Sequence, residues 1–330
     1  GEPVSRETLK PGAVVTRVAS SHIRVGTFQY FAIRNDIASL TALLDYAINR
    51  HYPEINIAPE NKAVQFLEVV IAKQIALVVE WMRVGFIHGV MNTDNVAISG
   101  ETIDFGPCAM IGIYDPHTVY SSIDTKGRYA FGNQPNITLW NMTRLAECLL
   151  PLISNDEKAA IAIVEPLLMQ FSQQFEHAYF KMLANKLGLT EIAPSDQIFI
   201  AELLEIMKNK RLDYTQLFTD LTQSLDDDNL AHKLKDKLGD WYDRWKVYSG
   251  DSQENINIAK ALMQTNNPIV IPRNHHVEKV LKACEETGNM QAADDFLTVL
   301  RSPYNEIANT IHYQDVPMDD DRNYCTFCGT

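Results

Sequence analysis

Long apolar runs are missing from this 330-residue chain. None approaches the roughly 18 residues that suggest a membrane span, and no signal peptide opens it. Positive charge is scarce: 29 Lys and Arg against 42 Asp and Glu leave a formal net charge of −13. That balance argues against a broad nucleic-acid or anionic-membrane surface, while leaving room for a local basic pocket that holds phosphate. Five cysteines are too few and too scattered for a disulfide framework. Internal repeats and low-complexity linkers are absent. What is abundant is core material: 46% hydrophobic and 22% charged residues match an ordinary globular protein of one large or two modest domains.

Pro11-Gly12 marks a turn, and the β-branched run from Ala13 to Val18 reads as a strand. A second β-prone stretch follows around Thr27–Phe31, so residues 11–34 are expected to be extended. From Asp36 the period becomes helical, with Ile37, Leu40, Leu43, Leu44 and Ile48 on one face. Residues 61–86 predict a long helix, apolar around most of its circumference and therefore central. Residues 108–138 read as loop. Further helices are predicted over 139–152, 156–187, 195–225, 229–247, 255–263 and 275–300.

Between the central helix and the loop lies His88-Gly89-Val90-Met91-Asn92-Thr93-Asp94-Asn95. A predicted hairpin (Val96–Ile98 and Thr102-Ile103 around Ser99-Gly100-Glu101) follows, and then Asp104-Phe105-Gly106. A protein kinase presents H-R-D-x-x-x-x-N, a hairpin and D-F-G in that order. The hairpin brings its two ends side by side, so an Asn95 carbonyl and an Asp104 carboxylate meet at one divalent cation, magnesium or manganese. A lone DFG is weak evidence, often only a turn. The combination of long helix, His-x6-Asn, hairpin and DFG is much stronger. The kinase base falls at Val90, which accepts no proton; the nearest carboxylate is Asp94. The pattern is therefore that of a non-catalytic kinase relative or of different chemistry with a displaced base.

The fold expected is α+β and protein-kinase-like: residues 1–35 as the remainder of an N-lobe, and 36–330 as a large, mainly helical C-lobe. Over nearly its whole length the chain resembles the selenoprotein O (SelO/YdiU) family, protein adenylyltransferases with a pseudokinase fold. The shared text includes Pro11–Ala19, Ser21–Phe28, His88–Asn95, Thr102–Pro107, Tyr114-Asp115-Pro116, Gly127–Phe131, Gln134-Pro135, Leu139-Trp140-Asn141, Leu300–Tyr304 and the terminal CxxC. The resemblance implies metal-dependent transfer of AMP from ATP to Ser, Thr or Tyr hydroxyls of proteins, with the nucleotide flipped relative to a kinase. It implies Asp94 as general base, Asn95 and Asp104 as ligands of Mg2+ (or Mn2+), and Arg17 and Arg24 on the nucleotide phosphates. Guanidinium forks suit phosphate oxygens.

Family members carry an upstream glycine-containing phosphate loop, a Lys and its Glu partner. Lys10 sits in no such motif, so the chain reads as the C-terminal two-thirds of a family member, with weak nucleotide binding and little catalysis expected of it alone. Three other readings stay open: a kinase-like phosphotransferase, a protein UMP-transferase using manganese, and a non-catalytic scaffold. Nucleic-acid and membrane partners are not expected. Acidity and the lack of a targeting segment point to a bacterial cytoplasm; a mitochondrial site would need a transit peptide, which a chain without its natural start does not display.

Cys148 and Cys284 lie in apolar helical patterns and read as buried small hydrophobes. Cys325 and Cys328 form a CxxC lacking the two further ligands that a zinc site would need, so a redox pair is its functional reading and a frayed tail the plain one. Cys108 directly follows Asp104–Pro107. The expectation is that it pairs with Cys328 or Cys325 on oxidation; the alternative is a simple buried thiol. The acidic run Asp319–Asp321 reads as solvated tail.

Overall fold

Helix α3 (Lys62–Val84) buries residues around most of its circumference, from Ala63 and Phe66 to Trp81 and Met82, as its apolar sequence predicts. The computed structural model describes residues 1–5, 9–55, 62–191, 193–250, 252–317, 321 and 323–327. Helices α4 (Gln134–Ile153) and α5 (Glu157–Lys186) pack on α3, and α1 (Val25–Ala32) and α2 (Ile37–His51) close over α4. Helices α6 (Pro194–Asn209), α7 (Tyr214–Gln223), α8 (Asp228–Leu238), α9 (Asp240–Tyr248) and α10 (Gln253–Asn266) follow, then α11 (Asn274–Thr287) and α12 (Gln291–Leu300). Strand content is small. The antiparallel pairs are β1 (Pro3–Ser5) with β2 (Leu9–Pro11), and β3 (Phe86–Ile87) with β4 (Ala109–Met110). The molecule is thus mostly helical with minor sheet.

Three expectations are corrected. The stretch Thr27–Phe31 is helix, not strand: α1 buries Val25 and Phe28, three apart on one face. Its first amides are used by the chain beyond, Val25 N–H donating to Val96 O at 3.0 Å and Gly26 N–H to Thr93 O at 2.7 Å. Tertiary contact overrides a β-prone composition. The run Ala13–Val18 forms no strand either; Val14 is 97% and Val18 91% exposed. A β-branched run becomes a strand only against a partner, and no described strand pairs with it. Finally, three predicted helices are each two, broken at left-handed residues: Arg211 (φ 52°), Gly239 (φ 65°) and Gly288 (φ 68°). Cys148 is buried as expected, whereas Cys284 is half-buried.

A buried bidentate pair, Arg273 on Asp213 at 2.8 and 3.1 Å, locks the start of α7 to the residue before α11. Beside it, Asn274 treats Met110 as a strand neighbour: its Oδ1 accepts from Met110 N–H at 3.0 Å and its Nδ2 donates to Met110 O at 2.9 Å. The segment that follows Asp104 is therefore fixed from the far end of the chain.

Candidate active site

Strands β3 and β4 pair Phe86 with Met110 and Ile87 with Ala109, which closes residues 86–110 into one loop system. Gln134, fully buried, spans its root: Nε2 donates to Phe86 O at 3.0 Å and Oε1 accepts from His88 N–H at 3.0 Å. His88 sits 2.8 Å through Nε2 from Ile103 O, while Val90 N–H points at Nδ1 from 3.3 Å. That arrangement puts the proton on Nε2 of a neutral ring. Burial pushes its pKa down, against the opposing hydrogen bond to Ile103 O. His88 therefore ties the two halves of the loop together. Gly89 has φ 86°, and a Cβ there would lie 2.6 Å from Pro107 O, so only glycine lets the halves approach this closely.

The hairpin is shorter than predicted, a Val96–Thr102 bridge, with a second bridge from Ala97 back to Arg24. Its anchors come from neighbouring helices: Gln74 donates to Ala97 O at 2.7 Å and Trp81 Nε1 to Thr102 Oγ1 at 2.8 Å. The Tyr52 hydroxyl donates to Ile98 O. Burial pushes the Glu101 carboxyl up, but hydrogen bonds from Ser99 and Ser20 outweigh it and leave its pKa lowered.

On this frame Asn95 Nδ2 donates to Val90 O at 3.0 Å. Its Oδ1 has no hydrogen-bond partner among the described residues. Asp104 has a left-handed backbone, φ 59°, uncommon outside glycine and typical of functional turns. Arg17 Nη2 lies 3.4 Å from Asp104 Oδ1. Both line a cleft of about 390 Å³ with His22, Thr102, Phe105 and Gly106. Phe105, 61% exposed, lines both this cleft and a larger apolar cavity of about 460 Å³. An amide oxygen and a carboxylate are donors that suit a hard divalent cation, and the Arg17 guanidinium beside Asp104 has the fork geometry that suits phosphate oxygens.

Asn95, Asp94 and Arg24 do not line that cleft. Asp94 is exposed on the loop one residue before Asn95. Gly26 holds it there: a Cβ on Gly26 would lie 3.3–3.4 Å from Thr93 O and the Asp94 backbone. Arg24, directly before α1, keeps a buried Nε with no hydrogen-bond partner. Val90 is 5% exposed, an apolar plug where a kinase carries its base. Sequence reasoning gave no role to Gln134, Asn141 or Tyr129. Asn141 Nδ2 donates to Met91 O at 2.9 Å and the Tyr129 hydroxyl to Asn92 Oδ1 at 2.7 Å, both fixing the loop from outside. Buried polar side chains in otherwise apolar helices were the available signal.

The tail returns to this loop. Thr326 donates its hydroxyl to Pro107 O at 2.7 Å and its amide to Tyr120 O at 2.8 Å. Asp321 is buried and accepts from Asn274 Nδ2 at 3.1 Å, so the acidic run is not wholly solvated tail; Asp319 and Asp320 lie outside the described residues. Cys108 and Cys325 are free thiols, and burial pushes Cys108 up to about 11. Cys328 lies outside the described residues.

Among the described residues no helix is long and apolar enough to cross a membrane. The family model "Protein adenylyltransferase SelO" matches residues 1–301. The chain is 48% identical to the protein nucleotidyltransferase YdiU of Teredinibacter turnerae, covering all of this chain and 68% of that protein. It is 47% identical to the YdiU of Pseudoalteromonas translucida (all of this chain, 68% of that one) and 46% to that of Bacillus mycoides (all and 67%). With its catalytic-loop and DFG elements in place, the chain belongs to the SelO/YdiU family of protein nucleotidyltransferases.

Proposed function

We propose that the chain carries the transfer site of a protein adenylyltransferase: AMP moves from ATP to a Ser, Thr or Tyr hydroxyl of a protein. The fold is read as kinase-like, with residues 1–35 belonging to an N-lobe and 36–330 forming the C-lobe. The observation that carries the proposal is Arg17 on Asp104 in one cleft, at the end of the loop system that also carries Asn95. Asn95 Oδ1 and Asp104 would hold Mg2+ (or Mn2+), which neutralises charge on the pyrophosphate leaving group when bound. Arg17 and Arg24 bind phosphate oxygens; the partnerless Nε of Arg24 supports its share. Exposed Asp94 takes the proton as the acceptor oxygen bonds to the α-phosphorus and the bond to pyrophosphate breaks.

Incubating full-length protein with α- and with γ-labelled ATP, alongside Asp94→Ala, tests this. Label from the α position alone, lost in the variant, is expected. Label from the γ position would replace the reading with a kinase using a displaced base, and no label from either would leave a nucleotide-binding scaffold. Parallel α-labelled UTP separates UMP from AMP transfer.

We also propose that Cys108 and the terminal CxxC form a redox pair, Cys325 or Cys328 giving the second sulfur. Support comes from Thr326, inside the CxxC, bonding to the carbonyl of the residue before Cys108. With a small-molecule disulfide as oxidant, two thiols lose two protons and two electrons to it. Non-reducing peptide mapping should then find Cys108 linked to the tail; all thiols free would sink the idea.

A further inference from the structure

Far from this cleft, two consecutive histidines open helix α11 and lean together. The rings of His275 and His276 have centroids 4.1 Å apart. Both reach one carboxylate from the segment after α12: His276 Nε2 lies 2.5 Å from Asp315 Oδ1, and His275 Nε2 lies 3.4 Å from Asp315 Oδ2. One ligand atom from each of the three falls within 4.8 Å of the other two, the single such group of His, Cys, Asp or Glu among the described residues.

A plain hydrogen bond explains His276 and Asp315 but leaves His275 unexplained. Both ring nitrogens of His275 are shielded from solvent; Nδ1 has no partner and Nε2 has only the long 3.4 Å approach to Asp315, without good hydrogen-bond geometry, an arrangement that costs free energy unless something else accepts the lone pair. His276 is packed behind by Tyr313 and Phe296, while Asp315 is 62% exposed and leaves the front open.

We propose that His275, His276 and Asp315 bind a divalent transition metal, zinc above all, with water as the fourth ligand. Two imidazoles and a carboxylate are ordinary zinc donors. Tetrahedral zinc sets neighbouring ligand atoms about 3.3 Å apart; the His275–Asp315 spacing already fits, and rotation of the exposed Asp315 carboxylate opens the shorter one. The positive end of α11 works against a cation here, so affinity rests on the ligands alone. The bound ion would fasten the segment after α12 to the helical turn whose Arg273 and Asn274 hold Asp213 and Met110.

Zinc binding is measured on the full chain by equilibrium dialysis in an Asp104→Asn, Cys325→Ser, Cys328→Ser background, which removes the competing active-site and thiol ligands. One zinc per chain is expected. His275→Asn, which sacrifices no hydrogen bond, and Asp315→Asn, at an exposed position, should each weaken it by about tenfold or more. No zinc bound in the background, or binding unchanged by both substitutions, would overturn the site.

Discussion

The catalytic loop system (86–110) and the arginine-bearing segment (12–24) face each other across one cleft, yet are held by opposite means. Buried side chains from three helices fix the first: Gln134, Asn141, Gln74 and Asn274 each bond to its backbone. The second has no regular structure over residues 12–23; Ser20 on Glu101 and Arg17 on Asp104 are exposed contacts, and firmer ones, Ser21 with His51 at 2.7 Å and Ile98 N–H to Ile23 O at 3.0 Å, lie only at its end. From Ala13 to His22, Ser20 alone donates its amide in a hydrogen bond to a described residue. The half proposed to hold metal is thus preorganised by the fold, whereas the half proposed to hold phosphate would be ordered by its ligand. Such a division costs binding energy but not geometry at the reacting centre.

The largest expected effect comes from breaking the preorganised half at its chemistry. Asp104→Ala should lower transfer by about 10²- to 10³-fold, the loss typical of a group that stabilises developing charge. Its stability should fall by only about 1 kcal/mol, the cost of Ala at φ 59°, because an exposed ion pair at 3.4 Å contributes little. A larger loss of stability with intact activity would reverse the assignment. Next, Gly89→Ala forces a Cβ to 2.6 Å from Pro107 O at φ 86°. Denaturant titration should show about 2–3 kcal/mol of destabilisation; a neutral result would mean that the two loop halves are not tightly apposed.

Smaller effects belong to the loosely held side. Arg17→Ala should raise KM for ATP about tenfold, near 1.4 kcal/mol of binding, with unchanged stability. Equal loss of stability would show that Arg17 is structural. The smallest concerns pH. Burial holds the folded pKa of His88 below its ordinary 6.5, so the unfolded chain binds the proton first. Its contribution is fully present above pH 6.5 and is lost as pH falls from there through the depressed folded value. His88→Asn should flatten that part of the stability–pH curve; an unaltered slope would mean the ring is not buried neutral.

Local pattern made part of this molecule legible. The apolar wrap of residues 61–86 gave α3 nearly to its ends, and His88-x6-Asn95 with Asp104-Phe105-Gly106 placed the loop system before any coordinates. Partners distant in sequence stayed hidden. Nothing near Val25 shows that its amide will bond to Val96 O, so α1 read as strand. Gln134 and Asn141 matter through Phe86, His88 and Met91, some 46–50 residues earlier. The three histidine–aspartate ligands escaped for the same reason, His276 and Asp315 being 39 residues apart.

Hydrogen exchange with and without ATP and Mg2+ tests the division most directly. The account predicts slow exchange at the hydrogen-bonded amides of 86–110 in both conditions, and fast exchange over 13–22 that slows when nucleotide is added. Equal protection of both segments without nucleotide, or no response of 13–22 at saturating ATP, would contradict it.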